Sequence, residues 1–470
     1  MTTVRTPQRN PPTPGQRPIR STAPPGHSRA RVTAPVALAA IVAGALPVLG
    51  LWWQDTNFVY GFGGILTNAG RLTGLAAGYA TLVVLVLMAR VPALERGVGT
   101  DRLSRWHAAG GRYVVSLVVA HALLIIWGYA VTAHTNVVSQ TTTLVLTYPD
   151  VLMATVALGL LVLVGVTSAR VARKRLRYET WHLLHLYTYL AIALSIAHEF
   201  RTGADFTDTR VRVLWLGLYV IVGALLLWYR AVTPILNLAR HTLRVVVVVP
   251  HGPDTVSVVV GGRNLGRLNA QPGQFFRWRF LTRELAGAAN PYSLSAAPVG
   301  DRLRITVKTA GQHSAALRAL RPGTRVLAEG PYGAFTADPA HRSAVGRRTG
   351  KVLLVGVGIG ITPIRALLET APTAPGGLTL LYRAHSEADL VLREEIEHIA
   401  AARGARVHYL LGHRQNNEHL SRRQLIRLVP DLAEHEVYLC GPDELIGRVA
   451  RNLRRAGVAR AAIHFESFTF

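Results

Sequence analysis

The sequence predicts a multi-domain membrane protein with a six-helix transmembrane bundle, then an antiparallel β-barrel, then an α/β domain with a doubly wound parallel sheet. Three observations predict this order. Long apolar runs fill the chain up to about residue 233, each near the roughly 20 residues that a membrane-spanning helix needs. Short strands separated by Gly/Pro turns follow, as in small barrels. From Lys351 onward strands alternate with helices, which is typical of a parallel sheet.

Composition excludes several kinds of site. The chain has 470 residues, enough for about three domains. Its formal net charge of +26 is spread over both halves and forms no single stripe with interleaved aromatic residues, so we expect no nucleic-acid binding. The single cysteine, Cys440, excludes disulfide bonds within the chain, cysteine-ligated iron–sulfur clusters and a cysteine-type zinc site.

Four segments are predicted. Residues 1–32 are rich in Pro, Arg, Ser and Thr, and we expect a disordered cytoplasmic tail rather than a cleaved signal peptide. The transmembrane domain then covers 33–233, the β-barrel domain 237–345 and the α/β domain 350–470. The strand and helix patterns change period at these boundaries, from helical runs to alternating strands and then to strand–helix units.

The distribution of basic residues orients six candidate spans. The tail and the loops after the second and fourth spans hold fifteen Arg or Lys residues, whereas the opposite side holds three. Because cytoplasmic loops carry such an excess, we expect a cell-membrane protein, surrounded by the lipid bilayer, with both termini in the cytoplasm. The predicted spans are approximately 33–53, 72–89, 107–132, 151–169, 180–197 and 211–232.

Four histidines lie at two matching depths in two parallel spans: His107 and His121 in the third, His185 and His198 in the fifth. Each pair spans on the order of 20 Å along its helix. An ionisable side chain in hydrocarbon is costly and indicates function by default. One such histidine is equally well explained by hydrogen bonding between helices. Four at matching depths favour metal ligation, and neutral imidazole is a haem ligand. We therefore predict two stacked haems between these helices.

The spacing in the fifth span raises a geometric difficulty. The 14-residue step from His107 to His121 nearly completes four turns, whereas the 13-residue step from His185 to His198 leaves these side chains well apart around an ideal helix. A kink, a π-bulge or two haems approached from different sides would each reconcile the pairs. His182 matches the depth of His107 less well, so we interpret it as a flanking residue.

One glycine-rich turn has the features of a phosphate-binding loop. The strand at 352–355 is followed by Gly356-Val-Gly358-Ile-Gly360-Ile-Thr362-Pro363, which leads into a helix. Glycines allow the backbone to approach a pyrophosphate, and the helix N-terminus supplies N–H groups and a favourable dipole. Pro suits the first helical turn. The alternative is an ordinary tight turn, since the GxGxxG fingerprint is absent.

Three further segments carry candidate positions that are ordinary strands or turns when each is taken alone. Tyr292 has the flat ring needed to stack on a ring system, with a neighbouring hydroxyl to bond its edge. The chain ends in an aromatic run with Phe468 and Phe470, for which packing onto the barrel is the alternative. The three segments are Asn290-Pro-Tyr292-Ser293-Leu-Ser295, Gly311-Gln-His-Ser314 and Cys440-Gly441-Pro442.

Together these motifs resemble two known families. NPYSLSAAP, GVGIGITP and LCGP resemble the flavin strand, the nucleotide loop and the cysteine turn of the ferredoxin–NADP reductase family. The histidine-bearing spans resemble the transmembrane domain of ferric reductases and NADPH oxidases, whose paired histidines hold two b-type haems. The resemblance covers approximately residues 34–470 and implies an NAD(P)H-dependent flavohaem oxidoreductase.

The reductase resemblance implies roles for individual residues. Tyr292 would lie against the FAD isoalloxazine and Ser293 near its reactive nitrogen. Asn290 stands where the family usually has Arg or His; it keeps hydrogen bonding but lacks the charge. The remaining implied contacts are Ser295, Gly311 and Ser314 with FAD; Gly356, Gly358, Gly360, Thr362, Pro363, Gly441 and Pro442 with the nicotinamide dinucleotide; Cys440 beside the nicotinamide; and Phe468 or Phe470 beside the flavin.

The implied activity is electron transfer across the membrane. Cytosolic NAD(P)H would reduce FAD, and electrons would pass to a haem on His107 and His185, then to one on His121 and His198. Arg383 follows the second strand of the α/β domain and suits a 2′-phosphate, which favours NADPH over NADH; an exposed arginine is the equal alternative.

The sequence leaves the electron acceptor open. A small molecule on the outer side, either a ferric chelate or dioxygen, is compatible with electron transfer across the membrane. A quinone fits as well. In a second class of function, the chain is a membrane-anchored flavin reductase without haem that donates electrons to a partner protein or quinone.

Overall fold

A computed structural model describes residues 32–54, 56, 60–176, 178–337, 343, 348–412 and 417–468. The predicted tail up to residue 31 and Phe470 lie outside these residues. Two compact units divide the chain between Val232 and Thr233. Each unit is described by itself.

The first unit is helical, and the six predicted spans are present within its helices and the one that follows. Within the part of the chain that the structure describes, six helices are long and apolar enough to cross a membrane. Their exposed apolar side chains, such as Val42, Leu123 and Val220, are those that a lipid environment would cover. The helices are α1 Ala34–Gln54, α2 Gly61–Met88, α3 Pro92–Val98, α4 Thr100–Thr132, α5 Val137–Thr147, α6 Val151–Ser168, α7 Arg170–Arg175, α8 Tyr178–Thr202 and α9 Thr209–Leu227.

Packing within this unit is uneven. Helix α2 packs along α4 over most of its length, and α6 packs along α8. Among the described residues, α4 and α8 have no comparable extended backbone contact. The two histidine-bearing helices are therefore each backed by a different neighbour.

Helix α8 is a continuous α-helix, so the 13-residue histidine step is not resolved by a π-bulge within it. The π-helical turn lies instead at Trp228–Val232, at the end of the sixth span. Between the two histidines, Thr188 Oγ1 donates to the His185 carbonyl and Ser195 Oγ to the Ile192 carbonyl. Such bonds often bend helices. The two imidazoles nevertheless leave α8 at different angles around its axis.

The second unit begins with α10 Thr233–His241 and continues as two antiparallel three-stranded sheets, in the order β1-β2-β5 and β4-β3-β6. Isolated bridges from Arg244 to Arg325 and from Leu294 to Ile305 link the sheets. Alternate residues of β3 are fully buried between them, as period-2 patterning dictates. The elements are β1 Arg244–His251, β2 Thr255–Gly261, β3 Phe275–Phe280, β4 Asn290–Ser293, β5 Arg302–Lys308, α11 Gln312–Ala316 and β6 Val326–Tyr332.

The rest of the second unit is a five-stranded parallel sheet in the order β11-β10-β7-β8-β9. The predicted strand–helix alternation is confirmed, but β11 is an addition, because the aromatic terminal run pairs with β10 as a strand of the sheet. The elements are β7 Lys351–Val357, α12 Ile361–Thr370, β8 Leu378–Ala384, α13 Arg393–Arg403, β9 Arg406–Leu411, α14 Arg422–Leu428, β10 His435–Pro442, α15 Asp443–Arg455 and β11 Ile463–Phe468.

A fully buried carboxylate, Glu436, ties β10 to β11 and to Ser343. His464 Nε2 lies 2.5 Å from Glu436 Oε1, and the Ser343 backbone N–H donates to the same carboxylate over 2.9 Å. Burial by itself raises the pKa of Glu436, but the hydrogen bonds from His464 and Ser343 outweigh it and hold the pKa below its usual range. The ionised form is therefore the stabilising one.

We predict that Glu436→Gln lowers stability at pH 7 by about 1–3 kcal/mol, because bonds to a charged group are lost. A depressed folded pKa gives stability that is present above the unfolded value, about 4.3, and lost as pH falls through the folded value. The difference from wild type, measured by thermal unfolding, should shrink as the pH falls below about 4. A difference that does not change with pH would contradict this assignment.

Candidate functional site

The carboxyl ends of three parallel strands bring the predicted nucleotide-site residues together. Cys440 on β10 is the register partner of Gly356 on β7 and of Glu466 on β11. Pro442 is the partner of Phe468 in the same way. Ligands of open α/β sheets bind at this edge. The structure therefore places the glycine-rich loop, the cysteine turn and the aromatic terminus side by side.

The glycine-rich loop needs glycine at two positions. Gly358 has φ +56°, a left-handed conformation that favours glycine. At Gly360 a Cβ would lie 2.3 Å from the Cys440 carbonyl oxygen, so only glycine lets the loop pack on the cysteine turn. Thr362 Oγ1 donates to the Ile359 carbonyl over 3.0 Å, and Pro363 lies in the first turn of α12. The loop thus presents a helix N-terminus, the geometry that accepts a pyrophosphate.

Glu466 is a site residue that the sequence analysis missed. Ser293 Oγ, on the predicted flavin strand β4, donates to Glu466 Oε1 over 3.4 Å. Glu466 is also the register partner of Cys440. Ser293, Cys440 and Glu466 therefore converge from three strands. The available signal was an acidic residue inside an otherwise aromatic terminal run.

The other residues predicted to lie near the flavin have different local environments. Tyr292 is half-buried, and burial raises the pKa of its phenol to about 12. Asn290 begins β4 opposite Trp278. Ser314 Oγ accepts from the backbone N–H groups of Ala310 (2.8 Å) and Gly311 (3.1 Å), so this hydroxyl organises its own loop.

Ser295 lies in a buried polar network. It is 0% exposed, and its hydroxyl accepts from Arg304 Nε and from Thr306 Oγ1. Arg304 also forms a bidentate salt bridge with Glu395 on α13, with N–O distances of 2.8 and 2.9 Å. Arg365 on α12 has its Nε 3.0 Å from the same carboxylate. The network therefore joins the segment after the flavin strand to α12 and α13, two of the helices of the α/β domain.

Arg383 lies on the strand next to the one that leads into the nucleotide loop. It is the last but one residue of β8, is the register partner of Val357 and is 4% exposed. Burial, and after it the charge of Arg448 on α15, lower the pKa of the Arg383 guanidinium.

The four intramembrane histidines form two pairs within the first unit. In the first pair, the ring centroids of His107 and His185 are 5.9 Å apart, with an interplanar angle of 70°. In the second pair, those of His121 and His198 are 6.4 Å apart at 64°. The pairing expected from matching depths is thus present, although α8 offers its two histidines at different angles.

The separation of each pair suits one metal ion between two imidazoles. A metal–imidazole bond is about 2 Å long, which places the centroids of two opposed rings on the order of 6 Å apart. Among the described residues, no three His, Cys, Asp or Glu side chains cluster as a metal site. A metal here would therefore take two protein ligands and need the rest from a macrocycle. Among the described residues, α4 and α8, which carry the two imidazoles of each pair, make no extended backbone contact.

Three of the four histidines have a hydrogen-bond partner at Nδ1, which leaves Nε2 for ligation. His107 Nδ1 lies 3.2 Å from the Val84 carbonyl, and His121 Nδ1 lies 2.8 Å from the Gly70 carbonyl. His198 Nδ1 lies 2.9 Å from Thr202 Oγ1. A Cβ on Gly74 would stand 2.7 Å from His121 Nδ1, so α2 fits this ring only with glycine there.

We predict that Glu395→Gln, which weakens the bonds to Arg304 and Arg365, slows flavin reduction by NADPH about 10- to 100-fold, because a misplacement near 1 Å costs about that much. Stopped-flow absorbance measures this rate. Lys351→Met is the matched control: its partners Asp431 and Glu434 lie in the same α/β domain, so these ion pairs join nothing to the flavin strand. Equal rates in the Glu395→Gln and wild-type proteins would show that the network is dispensable for reduction.

Comparisons with known proteins match one segment in each unit. Residues 73–196 match the family described as ferric reductase like transmembrane component. Residues 354–451 match the family described as oxidoreductase NAD-binding domain. The first match contains His107, His121 and His185 and ends two residues before His198. The second match contains the glycine-rich loop and Cys440.

Curated relatives match somewhat less than half of the chain. Ferredoxin–NADP reductase B of Sorangium cellulosum is 32% identical over 215 residues, which are 41% of this chain and 84% of that protein. The ferredoxin reductase component of 3-ketosteroid-9-alpha-monooxygenase from Rhodococcus rhodochrous is 28% identical, over 48% of this chain and 64% of its own length. A flavohemoprotein of Vibrio cholerae is 28% identical, over 43% and 52%. The chain thus spans about half to two thirds of the latter two.

These matches make the protein an oxidoreductase with transmembrane helices and a flavin- and nicotinamide-nucleotide-binding module. The chain belongs to the ferredoxin–NADP reductase family, with its FAD/NAD-binding module fused behind a ferric reductase-like transmembrane component.

Proposed function

We propose that the protein passes electrons from cytosolic NAD(P)H through FAD and two b-type haems to an acceptor on the outer side of the cell membrane. The observation that carries this proposal is the presence of two histidine pairs between α4 and α8. Their ring centroids are 5.9 and 6.4 Å apart, and the two helices otherwise lack extended backbone contact. Bound FAD would accept a hydride and release single electrons, which haem groups carry onward. Both termini are assigned to the cytoplasm by the excess of basic residues there.

In this proposal the first pair, His107 and His185, holds the haem nearer the cytoplasm, and the second pair holds the outer one. The chain's contribution is to fix each imidazole. The Val84 and Gly70 carbonyls accept from the Nδ1–H groups of His107 and His121 and direct their Nε2 atoms to the metal. The domain boundaries that go with this proposal are 33–233, 237–345 and 350–470.

At the nucleotide end, the chain's residues bind and orient. The loop at Gly358 and Gly360 would hold the dinucleotide pyrophosphate, and Tyr292 would lie against the flavin ring. Ser293 and Glu466, which already share a hydrogen bond, would face the reacting edge beside Cys440. A hydroxyl and a carboxyl in contact are able to hold a proton at that edge.

NADPH is the favoured donor because of Arg383 and Arg448. The buried Arg383 guanidinium, whose pKa is lowered by burial and then by the charge of Arg448, suits a dianionic 2′-phosphate. NADH offers a neutral ribose hydroxyl at that position. A ferric chelate or dioxygen is the proposed acceptor.

A second candidate function has support from the relatives. Proteins similar to the second unit are named as reductase components of monooxygenases, which work with partner proteins. The alternative is thus a membrane-anchored flavin reductase that donates electrons to a partner protein or a quinone, without haem.

We predict that sealed vesicles carrying the protein, supplied with NADPH on the side of the second unit, reduce ferric chelate or form superoxide on the opposite side. His121→Leu should abolish this transfer while NADPH still reduces the flavin. A ferric-chelate readout and a superoxide trap run in parallel identify the acceptor. Loss of flavin reduction in His121→Leu, or transfer without decrease, would contradict the proposed path.

A second prediction concerns Gly74. Gly74→Val would push a side chain into the His121 ring and break its bond to the Gly70 carbonyl, so we expect about half of the haem per chain to be lost, all of it from the second pair. Haem per protein, measured by absorption, checks this. The matched control is Gly159→Val in α6, where a Cβ meets nothing within 4 Å. Equal haem content in the two variants would exclude this role for Gly74.

A further inference from the structure

His185 differs from the other three paired histidines at its second ring nitrogen. His107, His121 and His198 each have an Nδ1 partner, whereas His185 Nδ1 is buried without a hydrogen-bond partner among the described residues. Metal-bound imidazoles almost always donate this N–H to an acceptor, which fixes the ring and raises its basicity. Something else must therefore hold the His185 ring.

The indole ring of Trp181 holds the His185 ring. Its ring stacks on His185 with centroids 5.2 Å apart and an interplanar angle of 25°. The two residues are four apart on α8, the spacing that places side chains on one helix face. The indole N–H donates to Ser168 Oγ of α6 over 3.2 Å, which fixes the Trp181 plane.

A cation lies on Trp181. The guanidinium carbon of Arg173, on α7, is 4.4 Å from the ring centroid, a cation–π distance. Arg173, Trp181, His185 and His107 therefore follow one another by ring or cation contact. Residues from α6 and α7 thus determine how α8 presents one histidine.

We propose that Trp181 is the positioning residue of His185, and that Arg173 acts through it to make His185 the least electron-donating of the four histidines. The inference rests on the proposed haem ligation. Without an Nδ1 acceptor the imidazole is less basic, and a nearby positive charge favours the reduced, less positively charged iron. Arg173 and Trp181 would therefore raise the midpoint potential of a haem bound by His107 and His185, compared with the same two ligands in the absence of Arg173 and Trp181.

The test uses electron paramagnetic resonance and spectroelectrochemistry on the purified full chain. A His121→Leu background isolates the signal of the first pair. Trp181→Leu should shift or broaden that signal, because the His185 ring loses its fixed plane, while the second pair's signal in otherwise wild-type protein stays unchanged. Trp181→Phe, which keeps a flat ring at this position, should leave the signal of the first pair close to that of the wild-type residue. Arg173→Met should leave the line shape unchanged and lower the midpoint potential of the first pair alone.

Thr202→Val is the matched control, because it removes the Nδ1 partner of His198 and should change only the second pair. If Trp181→Leu loses the first haem while Trp181→Phe keeps it, the positioning role is supported. Unchanged spectra in Trp181→Leu, or equal changes at both pairs, would overturn it. Wild-type protein without any haem absorption would instead refute the proposed function, so the two failures are distinguishable.

Discussion

The cost of placing imidazoles in hydrocarbon is the constraint on which the rest of the membrane unit depends. Four histidines in two spans would be unfavourable unless each ring had a partner at both nitrogens. The chain satisfies three Nδ1 atoms with a backbone carbonyl or a threonine hydroxyl and covers the fourth ring with Trp181. The two imidazoles of each pair lie across α4 and α8 with ring centroids 5.9 and 6.4 Å apart. The close packing of α2 on α4 follows from this requirement, because α2 supplies two of the acceptors.

In the second unit the corresponding constraint is alignment at one sheet edge. Gly360 must approach the Cys440 carbonyl, and Glu466 must lie in register with Cys440, for the loop, the cysteine turn and the flavin strand to meet. The network from Ser295 through Arg304 to Glu395 fixes the antiparallel sheets to the helices of the parallel sheet. Bidentate arginine–carboxylate bonds suit this purpose, since they determine orientation as well as distance.

The sequence predicted those features that local physics determines. Bilayer thickness sets span length, so six spans were found within a few residues at most ends, although α2 begins well before its predicted start at 72. Strand–helix alternation predicted the parallel sheet. The sequence did not predict β11, because an edge strand is defined by a non-local pairing with β10, and Glu466 was missed with it. Ser295 follows the flavin strand in sequence, but its alternating position turns it into the core. Although α8 is a continuous α-helix, both histidine pairs are present despite the 13-residue step, with ring centroids 5.9 and 6.4 Å apart.

The central claim is that each histidine pair holds one haem, and cofactor stoichiometry of the purified full-length protein tests it most directly. Reduced-minus-oxidised absorption and quantitative haem, flavin and protein assays should give two b-type haems and one FAD per chain, with spectra of bis-histidine iron. Well-folded protein that contains FAD but no haem would contradict the account and favour a membrane-anchored flavin reductase.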